Sequence, residues 1–250
     1  MAHMDVLTHA LILLTGFFSS FVGTTTGGIG LLIVPVLMFL GLPAQVAVGT
    51  TRVGLLSGNA TSLYQFHRSG KIDYSIAIPL LVISAVGAYI GARVLLVTPN
   101  ETVEKLFGFF ILCIVGITLL KKDLGVVKRT RPSHSVRGIG YTLMGLISII
   151  SAYFSAGTGL LGRPILMLCF GQTFLESAGT RKLQSAAVGI TSVAVYIMSG
   201  IVHWPYAITL LVGTALGSYA GAAYAIKKGN AWVRKLFIAV VILSSVELLF

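Results

Sequence analysis

Apolar residues along this chain come in ten blocks separated by short polar punctuation, and the blocks fall into two sets of five. In the first half they cover 5–23, 28–41, 44–66, 74–97 and 102–120; in the second, 138–154, 159–171, 174–198, 205–226 and 232–250. The uncharged run 74–92, YSIAIPLLVISAVGAYIGA, meets the requirement of about 20 apolar residues for a helix to cross a hydrocarbon core. An all-α integral membrane protein is predicted. The second block of each set is different, because 13 or 14 residues at 1.5 Å each reach only about 20 Å, short of a core of about 30 Å. Each of these short blocks is introduced by glycines and hydroxyls, VGTTTGGIG at 22–30 and YFSAGTGLLG at 153–162. Non-helical backbone at membrane depth is tolerated only where protein or a water-filled cavity satisfies its amides. Two interrupted or re-entrant short helices are therefore expected.

Sliding the chain against itself by 130 positions aligns 25–120 with 155–250 without a gap, at about a quarter identity. Gly49-Thr50 meets Gly179-Thr180, Ser69-Gly70 meets Ser199-Gly200, and Gly87, Tyr89, Gly91 and Ala92 meet Gly217, Tyr219, Gly221 and Ala222. Shared greasiness would match leucines and valines rather than glycines in register. The chain is read as a tandem duplication: a first transmembrane repeat at 1–120, a linker at 121–137 and a second repeat at 138–250.

Composition agrees with the block pattern: 56% of residues are hydrophobic, 10% are charged and the mean hydropathy is +0.94, against about a quarter charged in soluble domains. A soluble enzyme is excluded. The N-terminal block lacks the basic flank and small-residue cleavage site of a signal peptide, so the first helix is expected to stay in the membrane. The net charge of +11 sits at block ends without interleaved aromatics, which argues against nucleic acid and reports orientation instead. The linker KKDLGVVKRTRPSHSVR carries six Lys or Arg against one Asp, and is read as cytoplasmic. HRSGK at 67–71 is basic and TPNETVE at 98–104 acidic, whereas in the second half IVHWP at 201–205 has no Lys or Arg and KKGNAWVRK at 227–235 is basic. Matching loops thus face opposite sides, which predicts two inverted-topology repeats with an odd number of crossings each and both termini outside. Arg93 and Lys105 fall on the outer side against this rule.

Paired interruptions in inverted halves point to a transporter's substrate site. The N-termini of the short helices would aim free amides and the positive dipole end inward, which suits an anion, and Gly27, Gly28, Gly157 and Gly159 would let it approach the backbone. Close helix packing is the plainer alternative for such glycines, and it is the reading for the regular Gly87/Gly91 and Gly217/Gly221 pairs. Arg52, Arg163, Arg181 and Lys182 lie inside apolar blocks, and intramembrane cations are functional by default. Glu176 and Glu247 are the internal carboxylates available to neutralise them, and snorkelling to the interface is the alternative, strongest for Arg163. Thr24, Thr25, Thr26, Thr50, Thr51, Thr158 and Thr180, with Asn59 and Gln184, could donate to an oxyanion or bond their own helices. Cys113 and Cys169 stand alone and His9, His67, His134 and His203 are unpaired at helical spacing, so neither disulfide, metal nor cofactor motif is found. Trp204, Tyr74 and Tyr206 beside these histidines fit an aromatic interfacial belt.

The stretch GLPAQVAVGTTRVGLLSGNATSLYQFHRSGKIDYSIAIPLLVISAVGAYIGARV at 41–94, with its weaker copy at 178–223, resembles the TauE/SafE family of membrane transporters. The resemblance implies export, or in some members uptake, of sulfite, organosulfonates such as sulfoacetate, or thiosulfate across the inner (plasma) membrane. The second half departs from the pattern where G-L-P becomes Gly171-Gln172-Thr173. Family members are described with seven or eight helices, which differs from the ten crossings, or six with two re-entrant hairpins, that an odd number in each half gives. The resulting expectation is a multi-pass secondary carrier without a cofactor, surrounded by lipid, in which Arg52 with Arg181 or Lys182 pairs with a small sulfur-containing anion and the segments 24–30 and 156–160 complete its shell. An anion channel and an uptake permease are the alternatives, and a homodimer is left open.

Overall fold

The computed structural model describes residues 2–27, 32–119, 132–155 and 158–249, and their side chains except at 2–5, 25, 111–119, 160, 230–231 and 233–249. Its helices are α1 (Ala2–Thr26), α2 (Ile33–Phe39), α3 (Ala44–Arg68), α4 (Tyr74–Val97), α5 (Asn100–Leu119), α6 (His134–Phe154), α7 (Thr158–Phe170), α8 (Phe174–Met198) and α9 (Trp204–Leu249). Gly229, at φ 80° and ψ −177°, divides α9 into two limbs, so the predicted blocks 205–226 and 232–250 appear as one bent element. The two short helices stand where the two short blocks were predicted. Most of the predicted linker, 121–131, lies outside the described residues.

Local chemistry explains where these helices begin and end. Asp73 caps α4 by accepting from Ser75 N at 3.1 Å, and Thr173 and Glu176 form a reciprocal capping box at the start of α8. The helices α3 and α8 end alike. Gly70 at φ +66° and Gly200 at φ +71° turn the chain left-handed, while Lys71 N donates to Phe66 O and Ile201 N to Tyr196 O, closing a Schellman-type cap that favours glycine.

Among the described residues four helical stretches are long and apolar enough to cross a membrane: Val6–Thr24, Tyr74–Val97, His134–Phe154 and Trp204–Gly229. The 25-residue helices α3 and α8 are more polar, and their position accounts for it. They sit at the centre, packed against each other and against α4 and α9, so Thr50, Arg52, Asn59, Ser62, Arg181, Lys182 and Gln184 are buried in protein.

Glycine contacts give the helix directions. Gly213, Gly217 and Gly221 of α9 lie against the carbonyls of Leu13, Phe17 and Phe21 of α1, and Gly87 and Gly91 of α4 against those of Gly145 and Ile149 of α6; both pairs advance in step and are parallel. These are the small-residue contacts expected of tightly packed membrane helices. In contrast, Gly49 of α3 lies against Ile201 just beyond α8, Gly189 of α8 against Leu56, and Gly179 near the start of α8 against Lys71, so α3 and α8 are antiparallel. Exchanging α1 with α6, α3 with α8 and α4 with the first limb of α9 reproduces every one of these pairings. The equivalent helices α3 and α8 thus run in opposite directions, an arrangement consistent with inverted-topology repeats.

The same exchange relates two hydrogen bonds. Thr50 Oγ1 accepts from His203 N at 2.9 Å, and Thr180 Oγ1 accepts from Asp73 N at 3.2 Å. Each half thereby fastens the turn after the other half's central helix. Thr50→Val and Thr180→Val are each expected to lose about 1–3 kcal/mol by leaving a part-buried backbone donor unpaired, measured as a lower melting temperature. A loss at one position alone would contradict the paired role.

Candidate functional site

A pocket opens between the halves where the ends of α1 and α6 and the start of α7 meet the centres of α3 and α8. The end of α1 contributes Gly23 and Gly27; α3 contributes Arg52, Leu55 and Asn59; the end of α6 contributes Ser151 and Ser155. The first turns of α7 supply Thr158, Gly159 and Arg163, and α8 supplies Arg181, Lys182 and Ser185. Among the described residues four cations line this pocket and no carboxylate does.

Each cation is held by neutral groups. Arg52 Nε donates to Ser155 Oγ at 3.0 Å. Arg181 donates to Gln184 Oε1 at 2.5 Å and to Thr158 Oγ1 at 3.0 Å, and Gln184 is itself tied to Ser148 Oγ at 3.0 Å. Arg163 Nη2 donates to Thr24 O at 2.6 Å, while Lys182 Nζ lies 3.4 Å from Thr24 Oγ1. That carbonyl belongs to the last turn of α1, whose partial negative charge favours cations. Arg163 is 1% exposed and the other three 4%, yet Arg52 Nη2, Arg163 Nε and Nη1, and Arg181 Nε have no hydrogen-bond partner among the described residues. Buried charged donors left unmade are costly, and an oxyanion supplies the kind of acceptor they lack.

The scaffold is symmetric but its charge is not. Arg52 and Lys182 occupy equivalent positions, whereas the mates of Arg163 and Arg181 at the 130-residue offset are Ile33 and Thr51. Three of the four cations belong to the second half. Ser155, the partner of Arg52, is the non-glycine residue with positive φ among those described, at φ 54°. Such a conformation disfavours an L side chain, and here it aims the hydroxyl at the guanidinium.

The sequence-predicted residues divide into groups. Arg52, Arg181, Lys182, Gly27, Thr158 and Gly159 are brought together around the pocket, with Thr24 behind two of the cations. Thr50 and Thr180 instead hold the turns described above. Thr26 Oγ1 bonds its own helix at Val22 O, 3.1 Å away, and Thr51 Oγ1 is buried without a partner and outside the lining set. Gly28 and Gly157 fall outside the described residues, as does the side chain of Thr25. Glu176, suggested as a neutraliser, places its carboxylate 3.0 Å from Thr173 N in the capping box, a role signalled by the spacing T-x-x-E. Arg163, Ser151, Ser155 and Ser185 were not among the expected site residues. Arg163 was visible as an intramembrane cation, but its short helix allowed a shallow placement that its burial rules out. Only the α7 start faces the pocket among the described residues, since 28–31, ahead of α2, are not described.

The contact between α1 and α7 is unusually close. A Cβ at Gly159 would lie 2.5 Å from Gly27 Cα, and Gly27 itself has φ +94°. The two interruptions, one from each half, therefore touch backbone to backbone beside the cations.

Fold and site together define an all-helical, multi-pass membrane protein whose two related halves enclose a cationic pocket. The chain belongs to the Sulfite exporter TauE/SafE family, whose model matches residues 12–248, and is a membrane transporter of that type. It is 24% identical over 241 residues to "Probable membrane transporter protein ORF9" of Sinorhizobium sp, covering 96% of this chain and 92% of that one. Similarity extends to "Probable membrane transporter protein YdhB" of Bacillus subtilis, 26% over 220 residues covering 86% and 87% of the two chains, and to "Probable membrane transporter protein YfcA" of Escherichia coli, 23% over 242 residues covering 96% and 89%. No solved structure matches the chain.

Proposed function

We propose that this protein is a secondary carrier that exports a small, doubly charged sulfur oxyanion such as sulfite, thiosulfate or sulfoacetate, bound between the halves and released by rocking of one repeat against the other. The observation that carries the reading is the set of four buried cations, the three arginines among them with unpartnered N–H groups, around a pocket that no carboxylate lines among the described residues. Guanidinium donors suit oxyanions, whose oxygens accept charge-assisted hydrogen bonds from the planar fork. A doubly charged anion offsets more of this charge than a singly charged one. Taurine carries an ammonium as well as a sulfonate, and no lining residue offers that ammonium an anionic partner. Export is the direction that the family description names.

The melting temperature of the purified protein, measured in detergent with sulfite, thiosulfate, sulfoacetate, sulfate, phosphate, acetate and taurine at matched ionic strength, tests this. A true ligand at 100 times its dissociation constant adds about 2.7 kcal/mol of stability. Stabilisation by sulfite, thiosulfate or sulfoacetate is expected, with none by taurine. A flat series, or stabilisation by taurine alone, would sink the proposal.

A further inference from the structure

The same pocket carries an inference about how transport is coupled, and it rests on the carrier reading above. A carrier that alternates between two sides passes through a state sealed from both. In that state this protein must enclose Arg52, Arg163, Arg181 and Lys182 together, all at least nine-tenths buried. Among the described residues no carboxylate lines the pocket, and the groups that hold the cations are hydroxyls, one amide oxygen and one backbone carbonyl. Guanidinium groups do not shed their protons. Lys182 alone could, and three fixed charges would remain.

Counter-charge must therefore come from a mobile anion whenever the pocket is sealed. From this geometry we infer that the protein is an obligatory anion exchanger: having released its substrate on one side, it returns only after taking up another small oxyanion there. The tight Gly27–Gly159 contact supports this, because it places the junction of the halves directly beside the cations, where their unscreened repulsion opposes closure. Neutral coupling partners and free return of the empty carrier are both excluded by this scheme.

Efflux of radiolabelled sulfite from proteoliposomes of the full chain tests the inference, with potassium and valinomycin holding the voltage at zero. One external medium contains gluconate and the other unlabelled sulfite. External sulfite is expected to accelerate tracer efflux by about a hundredfold, the factor by which an unpaired intramembrane cation is disfavoured. Equal efflux into the two media would overturn obligatory exchange and leave the carrier reading standing. Absence of tracer efflux from both would overturn the sulfite carrier reading and this inference with it. In Lys182→Gln, with one fixed charge fewer, the ratio of the two rates is expected to shrink. A variant that was merely misfolded would lose both rates together and leave the ratio unchanged, and an unchanged ratio in folded Lys182→Gln counts against the inference.

Discussion

Arg52→Ala is expected to remove most of the sulfite-induced stabilisation while the melting temperature without anion stays at or above that of the unsubstituted protein. The two effects have opposite signs because the guanidinium serves the ligand rather than the fold. Its hydrogen bond is a single one to Ser155, and Nη2 has no partner, so truncation leaves little behind that was satisfied. Removing one of four like charges that share a pocket also relieves repulsion, and uncompensated buried charge is destabilising. Loss of a charge-assisted hydrogen bond to an anion costs about 1.5–3 kcal/mol, or about 10- to 100-fold in affinity, measured by titration calorimetry. Arg52→Met, which keeps the bulk of the side chain, should behave the same way. Near-wild-type affinity in either variant would remove Arg52 from the site. A fall in stability without anion would instead give it a structural role.

Substitution of the paired glycines should have the opposite pattern, damaging fold and transport together. A Cβ at Gly27 would lie 2.7 Å from Gly159 Cα, and one at Gly159 2.6 Å from the Gly27 carbonyl oxygen. Neither neighbour is the flexible end of a side chain, so the backbone itself must move. Overpacking of this kind costs about 1–3 kcal/mol. Gly27→Ala adds the strain of its positive φ, roughly 1–2 kcal/mol for an L residue. The expected result is a large drop in melting temperature for Gly27→Ala, a smaller one for Gly159→Ala, and transport lost in both. Gly138→Ala in α6 provides the comparison, because nothing lies within 4 Å of its added Cβ; it should be neutral or slightly stabilising. Wild-type transport by Gly159→Ala would show that the two interruptions do not need to touch.

Much of the architecture was legible in the sequence because membrane helices declare themselves by length and hydropathy. The blocks 74–97 and 174–198 match α4 and α8 end to end, since Asp73 and Thr173 are capping residues that fix the helix starts. The antiparallel course of α3 and α8 is consistent with the inversion that the loop charges predict. At Gly229 the sequence predicted a gap of five residues, whereas one glycine in a left-handed conformation suffices to bend the chain.

The site was harder to read because the same hydroxyl can serve a ligand or a neighbouring turn. Thr50 and Thr180 occupy equivalent positions, which looked like a paired binding contribution; their symmetry is real, but it joins each half to the turn of the other. Arg163 was set aside because a cation on a short helix can reach the interface, and only the packing of α7 against α1 shows it aimed inward at Thr24. Ser155 lies in the interrupting run 153–162, but nothing in the sequence marks it as the partner of Arg52. Its role depends on one backbone angle and on a contact with Arg52 across 103 positions of sequence.

The central claim is that the four cations form an anion site, and its most direct test is to see the anion there. Selenite, the selenium analogue of sulfite, scatters anomalously and can be introduced into crystals of the protein. The account predicts an anomalous peak within hydrogen-bonding reach of Arg52, Arg163, Arg181 and Thr158, at the meeting point of the two halves. A selenium peak elsewhere, with none among these residues, would contradict it.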